Sequence, residues 1–157
     1  MVKHPDRVSR LAGLDIRRAG PADLPEIARL MRRWSDLAWD FMVQHTAEED
    51  FGFIGRLHDA GPIWTAFQGD RIVGFCAVRQ GWIDLFHVAP EMHGMGLGQI
   101  LIARALKGRR RVRLWTFQRN NRTRRFYALQ GFREVRLTDG SGNEEREPDV
   151  LLEWRRP

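Results

Sequence analysis

Between the apolar run Leu85-Phe86-His87-Val88-Ala89-Pro90 and the amphipathic run that begins at Gln99, the chain reads His93-Gly94-Met95-Gly96-Leu97-Gly98. Glycines at every second position strip away the Cβ atoms that would hold a ligand off the backbone, and they permit the φ > 0 geometry that aims successive N–H groups at one point. A helix starting directly after adds its unpaired N–H donors and positive dipole end to the same point. The chemistry this predicts is capture of a phosphate or pyrophosphate. Of two familiar cradles, one fits weakly and the other is excluded. A G-x-G-x-x-G dinucleotide turn is the weak fit because Gln99 stands where the last glycine is needed, and no Gly-Lys-Ser/Thr triplet exists for a P-loop. His45 and His58 lack partners at ligand spacing, so the sequence predicts no metal site.

Charge points the same way. From Glu91 to Glu134 no acidic residue intervenes, while Arg104, Lys107, Arg109, Arg110, Arg111, Arg113, Arg119, Arg122, Arg124, Arg125 and Arg133 give that window +11 of formal charge, leaving −5 for the rest of a chain that totals +6. One surface is therefore expected to receive an anion. Trp115, Phe117, Phe126, Tyr127 and Phe132 fall in strand-like or helical patterns, not in an interleaved stacking platform, so nucleic acid is the weaker alternative and is not expected as a partner.

The elements that must position the cradle are legible in periodicity. At 157 residues the chain is one domain long. Residues 1–13 read as a frayed polar lead and 14–157 as a single domain. Leu14–Arg18 alternates as a strand, a helix runs from about Pro21 to Trp34, and Ser35 to Ala60 holds one or two more helices. Ile63–Phe67 and Arg71–Arg79 form a hairpin about Gln68-Gly69-Asp70, followed by strand Trp82–Val88. Then come helix Gln99–Lys107, strand Arg111–Phe117, a short helix Arg122–Leu129, strand Phe132–Val135, a polar loop Thr138–Pro148 and strand Val150–Trp154. This order implies an α/β (α+β) fold, a mixed sheet with helices on both faces. Cys76 is the lone cysteine and sits in an apolar strand, which suits a reducing compartment; with no apolar leader and no run of 18 apolar residues, neither export nor a membrane partner is expected, and the location expected is cytoplasmic.

Leu85-Phe86-His87-Val88 with Pro90, then His93-Gly94-Met95-Gly96-Leu97-Gly98, then Asn120, Phe126-Tyr127 and Gly131-Phe132 in that spacing, together resemble the GNAT superfamily of acyl-CoA-dependent N-acetyltransferases over roughly Ile16 to Trp154. The resemblance implies a GNAT-like, largely antiparallel sheet with a central splayed parallel strand pair, and acetyl-CoA as the acetyl donor. Gly96 and Gly98 fill the glycine positions of the family's acetyl-CoA loop, and His93 replaces its usual Arg or Gln. The implied cofactor-binding residues are Phe86, His87, Val88, His93, Gly94, Met95, Gly96, Leu97, Gly98, Gln99, Asn120 and Arg125. Asn120 would touch the pantetheine arm, which would bond like an added strand near Val88. The positive window would take the phosphorylated ADP end.

The same resemblance makes Tyr127, the only tyrosine of the chain, the acid that protonates the departing thiolate. For the base, Asp84 is favoured over His87, with an ordered water chain as the alternative; strict alternation would put Asp84 and His87 on opposite faces. Asp36, Asp40, Glu48, Glu49, Asp50, Glu144, Glu145 and Glu147 concentrate in the segments that form the acceptor wall in this family. An acidic wall suits a cationic amine, small molecule or protein, with Trp34, Trp39 and Asp40 as candidate substrate-binding residues. The loop from Asp139 to Glu145 resembles the flexible loops that shape such pockets. Monomer and homodimer are both open, as is a binding module without turnover.

Overall fold

The computed structural model describes residues 11–37 and 43–157, with side chains for all but residues 34–37 of these. Most of the lead and the candidates Trp39 and Asp40 lie outside the described residues, as does the Trp34 side chain. Seven strands form one sheet in the order β1-β2-β3-β4-β5-β7-β6, with β1 Leu14–Arg18, β2 Ile63–Gln68, β3 Arg71–Arg79, β4 Trp82–Val88, β5 Arg111–Phe117, β6 Arg133–Leu137 and β7 Asp149–Arg155. Every neighbouring pair is antiparallel except β4 and β5. The α-helices are α1 Leu24–Leu37, α2 Ala47–Ala60, α3 Leu97–Leu106 and α4 Asn121–Leu129.

Central strand β3 is buried along nearly its whole length, as a strand covered on both faces must be. Val73, Phe75 and Ala77 pack in one cluster with Ile27, Met31, Ile54 and Leu57 of α1 and α2. Cys76 and Val78 pack in another with Ile102 and Ala105 of α3 and Tyr127 of α4. Gly74 leaves room for α3, since a Cβ there would sit 3.0 Å from Leu101 Cδ1. Burial pushes the Cys76 thiol pKa well up, which leaves it a core residue without thiolate chemistry.

The parallel pair is the feature that matters. β4 and β5 share a single register pair, Trp82 with Arg113, and then diverge. Between Ala77 and Val78 the β3–β4 register shifts so that Leu85 and Ile83 are paired and Asp84 is the extra, bulged residue. A bulge sharpens the bend of its strand, and this one stands where β4 leaves β5. It also breaks the strict alternation expected of Asp84 and His87.

Candidate active site

The gap between the diverging strands opens into a cavity of about 1230 Å³. Its walls are β4 from Ile83 to Val88, β5 from Leu114 to Phe117, the loop and helix start at His93, Gly94 and Gly96 to Gln99, and α4 at Asn120, Arg122, Thr123, Phe126 and Tyr127. His45, Glu49, Asp50 and Phe53 with Asn143, Glu144, Glu145 and Asp149 also line it.

The cradle forms as its spacing predicts, with one revision. Gly94 and Gly96 take φ of 76° and 89°, conformations that side chains resist. Gly96 is the N-cap of α3, has no side chain to cap it, and no acid occupies the first turn, so the N–H groups of Leu97, Gly98 and Gln99 are presented to a ligand. Gly98 does something else. It lies within the helix, and a Cβ there would stand 3.2 Å from two Phe126 ring atoms and 3.4 Å from Phe86 Cζ. It is a close-packing residue for the aromatic floor. The Met95 side chain is buried in the core and lines no part of the cavity.

His93 folds back so that Nε2–H donates to the Val88 carbonyl at 2.9 Å, tying the loop to the end of β4. Glu91, just before it, accepts from Arg33 at 2.9 Å and Arg71 at 2.8 Å, and these guanidiniums hold its carboxyl below the ordinary range. The acid nearest the cradle is thereby neutralised.

Helix α4 places the phenol. Asn120 Oδ1 accepts from Thr123 N at 3.2 Å as its N-cap. At the other end Gly131 has φ 91°, Phe132 N donates to Tyr127 O, and Gly131 N to Ala128 O, both at 3.0 Å, which is a Schellman closure. The closure folds Phe132 onto Tyr127 with ring centroids 5.2 Å apart, while Phe126 and Phe86 pack against Tyr127 at 5.3 and 6.1 Å. The Asn120, Phe126-Tyr127 and Gly131-Phe132 spacing is thus a helix with both caps and its aromatic contact. Tyr127 is 4 % exposed. Among the described residues its hydroxyl has no hydrogen-bond partner and no fully buried side-chain polar atom is unpaired, so the Oη keeps its open side toward the cavity. Burial raises its pKa well above that of a free phenol, so it carries its proton at neutral pH.

Asp84 and His87, the two candidate bases, both line the cavity. Arg79 bonds Asp84 through Nε at 3.1 Å and a terminal nitrogen at 3.0 Å. Both carboxylate oxygens are thus turned to one guanidinium. His87 is buried beside Phe75, ring centroids 5.3 Å apart, and desolvation lowers its pKa to about 4. Below about pH 6.5 the unfolded chain then takes up a proton that the folded one refuses, so stability should fall between pH 6.5 and 4 by up to about 3 kcal/mol and be flat above. Tm followed across that interval should show the slope, and His87→Gln should reduce it. The lowered carboxylates Glu49, Glu91, Asp139 and Glu153 lose their contribution at still lower pH in both proteins.

Sequence reading missed His45, whose Nδ1 lies 3.6 Å from Glu49 and whose Nε2 lies 3.3 Å from Glu144. Glu144 is too distant in the chain to leave a local signal, whereas Glu49, four residues on, is the i,i+4 partner that could have marked His45. The loop carrying Glu144 is tied down by its own bonds: Asn143 Nδ2 donates to Glu147 O at 2.7 Å and to Asp149 Oδ2 at 3.0 Å, and Thr138 Oγ1 to Asp149. The basic window disperses, contrary to the expectation of one surface. Of its members only Arg122 lines the cavity, and Arg125 does not. Arg104 lies over the Trp64 ring, Arg119 bonds Glu147, and Arg124 bonds Glu134. The spacing of Arg122 and Thr123 from the Asn120 cap is the signal that could have found them.

One splayed parallel pair, an uncapped glycine turn at the gap and the Tyr127 phenol thus share one cavity. The chain belongs to the acetyltransferase (GNAT) family, whose model matches residues 28–132. It is 29 % identical over 151 aligned positions to an uncharacterized N-acetyltransferase of Archaeoglobus fulgidus, covering 83 % of this chain and all of that one. It is 24 % identical over 121 positions to the peptidyl-lysine N-acetyltransferase YjaB of Escherichia coli, covering 76 % of this chain and 82 % of that one. In fold it is similar to the crystal structure of Ard1 from Thermoplasma volcanium, TM-score 0.78 at 20 % identity, over 93 % of this chain and 99 % of that one.

Proposed function

We propose that this protein transfers the acetyl group of acetyl-CoA to a cationic primary amine, on a protein or a small molecule. The observation that carries the reading is one cavity whose wall brings together the glycine turn with its helix start, the acidic residues Glu49, Glu144 and Glu145, and Tyr127. The unpaired N–H groups at the start of α3 fit a pyrophosphate, Arg122 adds a positive charge to the wall of the same cavity, and the edge of β4 beyond Trp82 offers backbone groups to an extended pantetheine arm. Acetyl-CoA supplies the thioester carbon that the amine attacks.

The residues divide the remaining work. Glu144, Glu145 and Glu49 attract the ammonium form, Asp50 being held by Arg32 at 3.1 Å, and Phe53 offers its chain an apolar contact. As the C–N bond forms and the C–S bond breaks, the amine proton leaves through a chain of ordered water to solvent, and the Tyr127 proton goes to the departing sulfur, while His45, between Glu49 and Glu144, ties the acidic segments together. Asp84 becomes a positioning residue that fixes the bulge through Arg79.

Thiol release from acetyl-CoA across lysine peptides, polyamines and neutral amines tests the reading. Release is expected with cationic acceptors, and Glu144→Gln/Glu145→Gln should raise their KM roughly five- to tenfold with little change in kcat. Release with neutral amines alone would discard the acidic wall as the selector; none with any amine, while coenzyme A still raised Tm, would leave a binding module.

A further inference from the structure

Most of the arginine run has no part in the cavity above. Arg109, Arg110, Arg111 and Arg113 gather with Arg155, Gln80, Gly81 and Trp82 around a second concavity of about 600 Å³. It lies where β4 and β5 begin, and the seven-residue strands separate it from the cradle by about 20 Å. Gln80 and Gly81 form its lip with φ of 48° and 82°, and Arg113 N donates to Gly81 O at 2.9 Å, holding that turn on the start of β5. Gln80 is a residue with a side chain held in the left-handed region, a strained conformation.

Five guanidiniums meet one carboxylate there. Glu153 is engaged by Arg113 at 2.7 Å and by Arg155, so it has nothing left for the others. Arg109 Nε donates to Ala105 O at 3.0 Å and its carbonyl accepts from Arg156 at 3.1 Å, which orders one wall. Among the described residues Arg110 and Arg111 have no acidic partner. Unpaired like charges around a concavity repel one another, and a multiply charged anion removes that repulsion while meeting guanidinium forks of the right geometry.

We propose that this cleft is a second site, which binds a small polyphosphate of nucleotide size, its phosphates on Arg110 and Arg111. The volume is that of a small-molecule pocket, and Trp82 is the only aromatic residue on its wall, able to take one ring but not a strand of stacked bases.

Calorimetric titration with ATP and with inorganic tripolyphosphate, each with and without excess coenzyme A, tests it. One ATP per chain is expected to bind whether or not coenzyme A is present. Arg110→Gln/Arg111→Gln, both at exposed positions, should weaken it about tenfold or more and leave coenzyme A affinity unchanged. Tighter binding of ATP than of tripolyphosphate identifies a nucleotide as the source, and equal binding a free polyphosphate. No binding of either, displacement by coenzyme A, or undiminished affinity in the variant overturns the proposal. So does tighter binding of a single-stranded oligonucleotide at the same salt, lost in the same variant, which would make the patch a nucleic-acid surface. Because coenzyme A binding is read in the same experiment, failure of this site is separable from failure of the acetyltransferase reading.

Discussion

Replacing Tyr127 with Phe should lower kcat about 10²- to 10³-fold, the contribution of one well-placed proton donor, while the KM for acetyl-CoA stays within about twofold. The hydroxyl has no protein partner among the described residues, so its removal leaves no orphaned donor or acceptor behind and Tm should hardly move. The ring contacts with Phe86, Phe126 and Phe132 survive in the variant, which keeps the floor of the cavity in place. Steady-state kinetics with thiol detection, together with coenzyme A titration, separates the two quantities. An unchanged kcat would remove Tyr127 from proton transfer, and solvent would then have to protonate the sulfur. No other tyrosine exists to substitute for it.

The strands that carry the site were legible because their signal is local. Leu14–Arg18, Arg71–Arg79, Trp82–Val88 and Arg111–Phe117 fall where alternation and turn residues put them, and the glycine turn and α4 follow from capping chemistry within a few residues. What was not legible depends on contacts between distant segments. The bulge at Asp84 exists only in the register against β3, and it cancels the alternation argument that put Asp84 and His87 on opposite faces. Arg79 and Asp84 are near in sequence, yet that their side chains pair across the hairpin decides the fate of the carboxylate, and composition is silent on it. The +11 window is a linear fact that the fold distributes among the cleft at the strand starts, ion pairs with Glu134 and Glu147, and a single cavity residue, Arg122. Linear charge density therefore said where arginines are in the chain and nothing about which surface they share.

The same distinction separates the three glycines of the cradle, and Gly98→Val is the substitution that tests it. Gly94 and Gly96 are needed for their backbone angles, but Gly98 is needed for the space between α3 and the Phe86–Phe126 stack, whose centroids are 5.6 Å apart with planes 16° from parallel. Two added methyls must displace the Phe126 ring, at an overpacking cost of about 1–3 kcal/mol. The ring is one residue from Tyr127, and the Schellman closure at Gly131 holds the far end of α4, so the displacement falls on the segment that carries Asn120 and the phenol. Misplacement of reacting groups on this scale lowers kcat/KM by about 10²-fold. Gly98→Ala separates position from stability. Alanine gains about 1 kcal/mol of helix propensity over glycine, which offsets mild crowding at 3.2 Å, so Tm should stay nearly level while kcat/KM falls severalfold. Full activity in Gly98→Val would mean that the aromatic floor does not position Tyr127, and that the ligand's approach does not need a glycine at 98 either.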